Sequence, residues 1–264
     1  ASTGIVTGVA PGTAAVTYTL PTGCFVTTVF TVNSSPGVIT GVAHLCVGFT
    51  TTLADTPSGG TWSSANILIA TVGTAGDVFG ASAGTVTLTY TNAAGCYSTT
   101  IVSVYPIPTP YTGTMVVCEG GTTTLSDITT GGTWSSFNVA IATVGSASGV
   151  VTGVTGYNTV TITYTLPSSC YTTNVITVNP LPAGIMGTFA ICHLTSTTLT
   201  DATPGGTWSS SDTTVATIGS SSGVVSGVSP GTTIITYTLP TGCYRTIVFT
   251  VNPLPTTILG TLVV

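Results

Sequence analysis

Apolar and polar side chains alternate along most of this chain. In Thr161-Ile162-Thr163-Tyr164-Thr165 and in Thr85-Val86-Thr87-Leu88-Thr89, every second residue is apolar, which is the two-residue period of a β-strand with one buried face. Turn-forming residues separate such segments at intervals of about ten residues. No segment keeps a helical period, and no apolar run reaches the roughly 18 residues of a membrane span. The pattern predicts an all-β protein.

The alternating pattern is itself repeated along the chain. Four independent markers share a period of 72 to 74 residues, which indicates a repeat architecture. The markers are Trp62, Trp134 and Trp208; Asp55, Asp127 and Asp201; Cys46, Cys118 and Cys192; and Cys24, Cys96, Cys170 and Cys243. Each copy contains about seven short predicted strands, which is typical of a β-sandwich.

Registering the copies against one another gives the predicted domain boundaries. We predict whole repeats at 34–105, 106–179 and 180–252, the C-terminal half of a repeat at 1–33, and the first strand of a further repeat at 253–264. On this interpretation the chain is a window on a longer polypeptide. In the third copy the predicted strands are Ile185–Cys192, Thr197–Leu199, Gly206–Ser209, Val215–Ile218, Gly223–Val228, Thr232–Leu239 and Tyr244–Val251.

One motif in the third copy is specific enough to compare with a known family. It reads Gly206-Thr207-Trp208-Ser209-Ser210-Ser211, Val215-Ala216-Thr217-Ile218, Gly223-Val224-Val225-Ser226-Gly227-Val228 and Gly231-Thr232-Thr233-Ile234. The motif resembles the bacterial immunoglobulin-like domain of group 2, found in intimin- and invasin-type adhesins. The Pro-Leu-Pro linkers and the cysteines in every copy look like those of long surface repeat proteins of Bacteroidetes-type bacteria.

The resemblance implies tandem immunoglobulin-like β-sandwich repeats, an extracellular location at a bacterial cell surface, and no catalytic residues. The first copy departs from the motif at Asp77-Val78-Phe79-Gly80, where the glycine-valine run is expected. We therefore expect the turn before this segment to differ from its counterparts.

Charge is almost absent from the chain. Arg245 is the only lysine or arginine, six residues are acidic, and charged residues make up 3% of the sequence. This excludes an electrostatic nucleic-acid surface, and the 42% of hydrophobic residues argue against disorder. Threonine occupies 62 positions, so the outward strand faces should be rows of hydroxyl and methyl groups without the charges that usually protect edge strands.

Recurrent cysteines in an extracellular setting indicate disulfides. Pairs within a repeat would be Cys46–Cys96, Cys118–Cys170 and Cys192–Cys243. In a sandwich these partners lie at opposite ends of the last strand, about 25 Å apart, whereas a disulfide requires Cα atoms within about 7 Å. The sequence therefore favours bonds across the junctions, Cys46–Cys170 and Cys118–Cys243, with Cys24, Cys96 and Cys192 paired to residues outside the chain. Bonds within repeats and bonds between chains stay open as alternatives.

The other candidate residues have structural interpretations. Trp62, Trp134 and Trp208 are predicted core anchors on the third strand, with an exposed sugar-binding aromatic as the alternative. The repeated aspartates should accept hydrogen bonds from nearby backbone amides. His44 and His193 lie beside cysteines, but the second copy has Val116 and Glu119 at the matching places, so no set of metal ligands recurs. We expect no cofactor, metal site or catalytic triad.

Two functional hypotheses follow from the uncharged, threonine-rich surface. In the first, the chain builds an extracellular filament or surface fibre, and its partners are copies of itself, end to end and laterally. In the second, it is a glycosylated stalk that presents a binding domain of an adhesin. Asn33, in the sequon Asn33-Ser34-Ser35, and Thr213 are the candidate glycosylation sites. We favour the filament, because a chain that starts and stops within a repeat is typical of a continuous assembly.

Overall fold

The computed structural model describes residues 3–255. Within these residues the regular secondary structure consists of β-strands without a helix, which confirms the predicted all-β class. No helix in this range is long and apolar enough to cross a membrane. The predicted strand of a further repeat falls largely on residues 256–264, outside the described residues.

The described residues form two compact units, one made of residues 3–108 and 166–171 and the other of residues 109–165 and 172–255. The strands of the first unit are β1 (Gly12–Thr19), β2 (Phe25–Val32), β3 (Thr40–Gly41), β4 (His44–Cys46), β5 (Thr50–Ala54), β6 (Thr61–Ser64), β7 (Ala70–Val72), β8 (Asp77–Gly80), β9 (Gly84–Thr91) and β10 (Tyr97–Tyr105). Strands β1 and β2 form an antiparallel hairpin whose side chains are almost all exposed. The other eight strands form two four-stranded sheets, with orders β3-β5-β8-β7 and β4-β10-β9-β6.

The second unit contains the same arrangement twice, except that each smaller sheet has three strands and no strand in the place of β3. Its strands are β11 (Val116–Cys118), β12 (Thr122–Thr124), β13 (Thr133–Ser136), β14 (Ala142–Val144), β15 (Val150–Gly153), β16 (Asn158–Thr165), β17 (Tyr171–Asn179), β18 (Ala190–Cys192), β19 (Ser196–Thr198), β20 (Thr207–Ser210), β21 (Ala216–Ile218), β22 (Val224–Gly227), β23 (Gly231–Thr238) and β24 (Tyr244–Asn252). The four-stranded sheets run β11-β17-β16-β13 and β18-β24-β23-β20, and the three-stranded sheets run β12-β15-β14 and β19-β22-β21.

Strand order identifies the fold. In the second unit, β11–β17 and β18–β24 are two sets of seven strands. Each set places its second, fifth and fourth strands in one sheet and its first, last, sixth and third strands in the other, which is the division between the two sheets of an immunoglobulin sandwich. Strands β4–β10 of the first unit divide in the same way, with β3 added at the edge of one sheet. A short strand, β4, β11 or β18, runs parallel to the last strand of each sandwich, β10, β17 or β24. In this pairing Cys118 stands opposite Asn179, and Cys192 stands opposite Asn252. The fold is immunoglobulin-like.

The first predicted strand of the third copy is divided in the structure. Met186 makes an isolated bridge to Thr200 in one sheet, whereas β18 pairs with β24 in the other. Gly187 lies between them with φ of 130°, and a Cβ atom there would lie 3.0 Å from the carbonyl oxygen of Thr198. The prediction of one strand over Ile185–Cys192 was therefore wrong, because the chain passes from one sheet to the other at Gly187. A larger side chain at this position would crowd the carbonyl of Thr198.

The predicted alternation becomes the inner and outer faces of the sheets. On β23, Thr233, Ile235 and Tyr237 are buried, whereas Ile234 between them is exposed. The core of the third copy also contains Trp208 and Phe249, and an equivalent apolar core fills the sandwich of the first copy. Burial of these inward residues is the main force that holds each pair of sheets together.

The turn expected to differ in the first copy does differ. Gly76 donates its amide hydrogen to the carbonyl of Gly73, three residues earlier, whereas Gly149 and Gly223 each donate to a glycine four residues earlier. The strand that follows is unaffected, since Val78 is fully buried. A shorter turn thus leads into the same inward-facing position.

Replacement of Phe249 by alanine should destabilise the third copy by about 3–5 kcal/mol, because it opens a cavity in a fully buried position. The matched control is Val248→Ala on the same strand, where the side chain is exposed and the cost should stay below about 1 kcal/mol. Urea unfolding followed by tryptophan fluorescence measures both values. Equal losses in the two variants would contradict the assignment of the inner and outer faces.

Candidate functional site

Two disulfides are the chemically distinctive feature of the described residues. Cys46 is bonded to Cys170 with Cα atoms 5.7 Å apart, and Cys118 to Cys243 with Cα atoms 5.6 Å apart. The bonded residues are 124 and 125 positions apart in the sequence. The first bond lies within the first compact unit, which includes residues 166–171, and the second lies within the second unit.

One half of each bond is a strand end. Cys46 and Cys118 are the last residues of β4 and β11, and they stand opposite Tyr105 and Asn179 at the ends of β10 and β17. In both places the residue after the cysteine donates its amide hydrogen to that opposite residue's carbonyl, at 2.9 Å and 2.8 Å. The short parallel pairing therefore fixes the cysteine at the end of the sheet where the last strand finishes.

The other half of each bond is a hairpin tip. Cys170 and Cys243 close five-residue turns that begin at Leu166 and Leu239, and each leucine amide donates to the carbonyl of its cysteine at 2.8 Å. Both cysteines are fully buried. Their Sγ atoms lie 4.0 Å from the backbone carbonyls of Tyr105 and Asn179, so the strand-end residue contacts the sulfur of the incoming hairpin.

The two bonds, Cys46–Cys170 and Cys118–Cys243, do not join cysteines of the same sequence copy. A bond within one copy is prevented by register, because Cys46 stands opposite Tyr105 at one end of β10 while Cys96 precedes Tyr97 at the other. The nine residues of β10 span about 30 Å at roughly 3.3 Å per residue. Within residues 3–255, Cys24, Cys96 and Cys192 have free thiols, and Cys24 and Cys192 are exposed.

Each predicted tryptophan packs against a tyrosine. The ring centroids of Trp134 and Tyr164 lie 4.6 Å apart, as do those of Trp208 and Tyr237, and those of Trp62 and Tyr90 lie 5.0 Å apart. Trp134 and Trp208 are buried, and Trp62 is partly buried. In all three pairs the two residues are directly opposite each other on adjacent strands.

The tyrosine hydroxyls tie the strands to a nearby glycine loop. Tyr164 accepts a hydrogen bond from the amide of Gly132 at 2.9 Å and donates one to the carbonyl of Thr129 at 2.7 Å. A Cβ atom on Gly132 would lie 2.5 Å from Cζ of Tyr164, so the approach requires glycine. Sequence reasoning missed these tyrosines, although Tyr90, Tyr164 and Tyr237 follow their tryptophans by 28, 30 and 29 residues.

The repeated aspartates accept local amide hydrogen bonds, as predicted. The carboxylates of Asp55, Asp127 and Asp201 accept from the backbone amides of Thr56, Thr129 and Thr203, at 2.6, 2.6 and 2.8 Å. Asp127 lies beside Trp134 and Tyr164 in an open cleft of about 280 Å³, and Asp55 lies in the equivalent cleft beside Trp62 and Tyr90. The aspartates therefore stabilise the glycine-rich turns at the rim of the aromatic pair.

Within residues 3–255, the pKa values of one tyrosine and one aspartate are shifted. Burial raises the pKa of Tyr111 to about 12, and its hydroxyl donates to the carbonyl of Ile162 at 2.8 Å. Hydrogen bonds from the side chain and the backbone of Thr214 hold the pKa of Asp212 below its usual range. Asp212 is exposed. Its hydrogen bonds from Thr214 form a local turn, and this turn orders the segment that carries the exposed candidate glycosylation residue Thr213.

The remaining candidate residues are dispersed. The ring of His44 lies 6.3 Å from that of Tyr105, and the backbone amide of His193 donates to the carbonyl of Asn252 at 2.8 Å. Over residues 3–255 there is no cluster of three or more histidine, cysteine, aspartate or glutamate side chains suited to a metal ion. Asn33, the other candidate glycosylation residue, is exposed.

Comparisons with known proteins give a sequence relative and distant structural neighbours. No family model matches the chain. Ice-binding protein 1 of Shewanella frigidimarina (strain NCIMB 400) is 31% identical over 225 residues, which is 70% of this chain and 24% of that protein. The chain thus spans about a quarter of the length of this relative.

The structural neighbours include bacterial surface proteins. Invasin, a bacterial integrin-binding protein, matches with a TM-score of 0.38 and 17% identity over 92% of this chain and 65% of invasin. A C-terminal fragment of intimin has a TM-score of 0.37 and 17% identity over 56% of this chain and 67% of the fragment. Domains 1–6 of the surface layer protein SbsC have a TM-score of 0.26 and 18% identity over 94% of this chain and 45% of that chain. The immunoglobulin-like fold rests on strand order rather than on these scores.

Disulfides also indicate where the protein resides. Structural disulfides form in oxidising compartments and are rare in the reducing cytosol. The two bonds here close long loops and bury the hairpin cysteines completely. The chain is a β-rich protein of the secreted or surface-exposed kind.

Loss of one disulfide should weaken the second compact unit. The double variant Cys118→Ala/Cys243→Ala should lose about 2–5 kcal/mol of unfolding free energy, since the bond closes a long loop in the unfolded chain. Urea unfolding with and without a reducing agent measures the loss. The control Cys192→Ala removes an exposed thiol and should unfold like the parent. A double variant as stable as the parent would show that the bond has no stabilising role.

Proposed function

We propose that the chain is a structural component of an extracellular bacterial filament or surface fibre. In this proposal its immunoglobulin-like repeats occupy 34–105, 106–179 and 180–252, with parts of further repeats at 1–33 and 253–264. The observation that carries the proposal is the pair of disulfides Cys46–Cys170 and Cys118–Cys243. With these boundaries, each bond joins one repeat to the next.

Such bonds give a fibre covalent continuity beside its backbone linkers. Between Cys118 and Cys243, the disulfide joins the end of β11 to the tip of the β23–β24 hairpin. The linker Pro180-Leu181-Pro182 is stiff in itself, because proline restricts the backbone, and Arg245 donates a hydrogen bond to the carbonyl of Pro182 at 2.7 Å. The only fixed cation of the chain is thus used to hold the linker in place.

The strand arrangement also suits a load applied along the chain. In the second unit, β11 and β17 are parallel neighbours, as are β18 and β24. Pulling the start and the end of such a sandwich in opposite directions loads the hydrogen bonds between these strands together. This is a geometry in which several bonds must break at once for the sandwich to open.

A recurrent exposed apolar residue supports lateral association. Five residues after each hairpin cysteine, the outward side chain is β-branched and apolar: Val29, Ile101, Val175 and Val248, with 68, 66, 49 and 64% of their surface exposed. Their neighbours on the outer faces are mostly threonines. We assign the outer face of this strand, in each repeat, to side-by-side packing of copies, because apolar groups that are exposed in the single chain would be buried by such a contact.

The filament proposal predicts ordered bundles in negative-stain images of the purified chain. The quadruple variant Val29→Thr/Ile101→Thr/Val175→Thr/Val248→Thr should remain folded but lose lateral bundling, since hydroxyl groups replace the exposed methyl groups. The control changes the exposed threonines two positions earlier, Thr27, Thr99, Thr173 and Thr246, to serine, and should bundle like the parent. Single flexible threads from the parent chain would exclude the filament.

The second candidate function is a glycosylated stalk of a cell-surface adhesin. The observation that favours it is the similarity to a quarter of Ice-binding protein 1, because a stalk would account for only part of a protein that also carries a binding domain. In this role Asn33 and Thr213 are exposed acceptors for glycans. The chain itself would hold the binding domain away from the cell and would not bind ice.

Peptide mass and thermal hysteresis test the stalk. Peptides that contain Asn33 or Thr213, released from material of the natural source, should be heavier than their sequence masses, and the excess should disappear on chemical deglycosylation. The same chain should produce no thermal hysteresis in a cooling assay. An unmodified mass would contradict the glycosylated stalk, and measurable hysteresis would assign ice binding to the repeats themselves.

A further inference from the structure

Each existing disulfide joins a cysteine at the end of a short first strand to a cysteine at a hairpin tip, and we call these two places half-sites. Two exposed free cysteines occupy one half-site of each kind. Cys24 lies at a hairpin tip between β1 and β2, and Cys192 is the last residue of β18. In the bonded pairs the same two places are filled by Cys243 and Cys118. Each free thiol therefore has a bonded counterpart elsewhere in the chain.

The Cys24 hairpin is a copy of the hairpin that already forms a bond. Residues 17–24 and 236–243 have the same sequence, Thr-Tyr-Thr-Leu-Pro-Thr-Gly-Cys. The amide of Leu20 donates to Cys24 at 2.8 Å and that of Gly23 to Leu20 at 2.9 Å, and the second hairpin repeats both bonds at the same distances. Strand register matches as well, since Thr19 stands opposite Phe25 as Thr238 stands opposite Tyr244.

The strand end at Cys192 is a copy of the strand end that receives a hairpin. Cys192 stands opposite Asn252, as Cys118 stands opposite Asn179. The following amide donates to that asparagine's carbonyl at 2.8 Å in both places. The carbonyl of Asn179 is the group that contacts the sulfur of Cys243, so Asn252 presents the equivalent contact to an incoming cysteine.

We propose that Cys192 of one molecule and Cys24 of a second copy form a disulfide that links copies head to tail. The hairpin of the second copy would dock at the end of β18 as the Cys243 hairpin docks at the end of β11. Docking would bury an exposed thiol, since Cys243 is fully buried in its bond whereas Cys24 is exposed. The contact is heterologous, so each copy uses one half-site at each connection and the chain of copies can continue.

Cys96 is the poorer partner for Cys192. Its hairpin begins with Asn92 rather than leucine-proline, and the Asn92 side chain donates to the carbonyl of Ser34 at 2.8 Å and is 8% exposed. Cys96 itself is only partly exposed. The hairpin is already in contact with residues of its own unit, which leaves Cys24 as the hairpin cysteine that is free to dock.

The bond requires an oxidant, and a small-molecule disulfide such as oxidised glutathione supplies it. The Cys192 thiolate attacks that disulfide, forming a mixed disulfide and releasing one glutathione thiolate. The Cys24 thiolate of the second copy then attacks the protein sulfur and releases the second glutathione thiolate. Two cysteine thiols are oxidised to one disulfide, one glutathione disulfide is reduced to two thiols, and the protons pass to solvent.

This inference rests on the proposed function in one respect, the end-to-end association of copies. The test incubates the purified chain in a buffer of oxidised and reduced glutathione and separates the products on a non-reducing gel. We expect a ladder of dimers, trimers and longer species that collapses to monomer on full reduction. Cys96→Ser should give the same ladder, whereas Cys24→Ser and Cys192→Ser, each in the Cys96→Ser background, should lose it.

Mixing the two single-site variants gives the sharpest outcome. The Cys24→Ser chain retains Cys192 and the Cys192→Ser chain retains Cys24, so an equal mixture should form dimers and stop there. Peptide mapping of the dimer should recover Cys24 joined to Cys192. A parent chain that stays monomeric, a ladder that survives Cys24→Ser, or a peptide joining two copies of the same cysteine would overturn the proposal.

Electron microscopy of the same variants separates this inference from the filament itself. Ordered fibres from Cys24→Ser or Cys192→Ser, with no covalent ladder from the parent, would leave the filament standing and reject the disulfide. A covalent ladder without ordered fibres would support the disulfide and reject the filament. The two proposals therefore fail on different measurements.

Discussion

The parallel pairing of a three-residue first strand with the last strand determines where one cysteine of each disulfide lies. In β4, β11 and β18 this pairing brings a cysteine to the end of the sheet where the last strand finishes. If the first strand stayed in the opposite sheet, Cys118 would not lie beside Asn179, and the sulfur of Cys243 would not find both a partner and a carbonyl contact. The glycine at which the chain changes sheets, such as Gly187, makes the pairing possible.

The sandwiches are held together with almost no ionic contribution. Apolar side chains fill the space between the sheets. Several polar side chains near the core are hydrogen-bonded to backbone amides and carbonyls, although one buried carboxylate oxygen of Asp127 and one of Asp201 have no partner within the described residues. Tyr164 is linked in this way to the loop at Gly132, and Asp127 to the turn at Thr129. Because buried polar groups are costly unless they are hydrogen-bonded, these local bonds let a chain with 3% charged residues keep polar side chains beside its aromatic pairs.

The absence of charge also shapes the surface. Threonine on the outer faces gives a surface that is polar without being repulsive, and Ile101 and Val248 place exposed apolar groups within it. Sheets protected by lysine resist contact with one another, whereas these faces carry no such barrier. The proposed structural role, in which copies pack side by side and connect end to end, would use both the uncharged faces and the cysteines at the strand ends and hairpin tips.

The sequence by itself determined the class of fold and the spacing of its parts. Alternation in segments such as Thr161–Thr165 predicted strands with one buried face, and the structure buries Ile162 and Tyr164 accordingly. Local patterns of this kind are read directly from the chain, because each side chain's direction follows from strand geometry. The backbone bonds of the repeated aspartates were predictable for the same reason, since donor and acceptor are neighbours in sequence.

Tertiary structure decided what depends on residues far apart. The division of Ile185–Cys192 between two sheets follows from a crowded contact between Gly187 and Thr198, which no local pattern reveals. The tyrosines opposite the tryptophans were missed because the Trp208–Tyr237 contact joins strands 29 residues apart. The sequence left three arrangements of the cysteines open, and only the packed hairpins and strand ends show which sulfur atoms meet, because a disulfide depends on distance in space rather than on spacing along the chain.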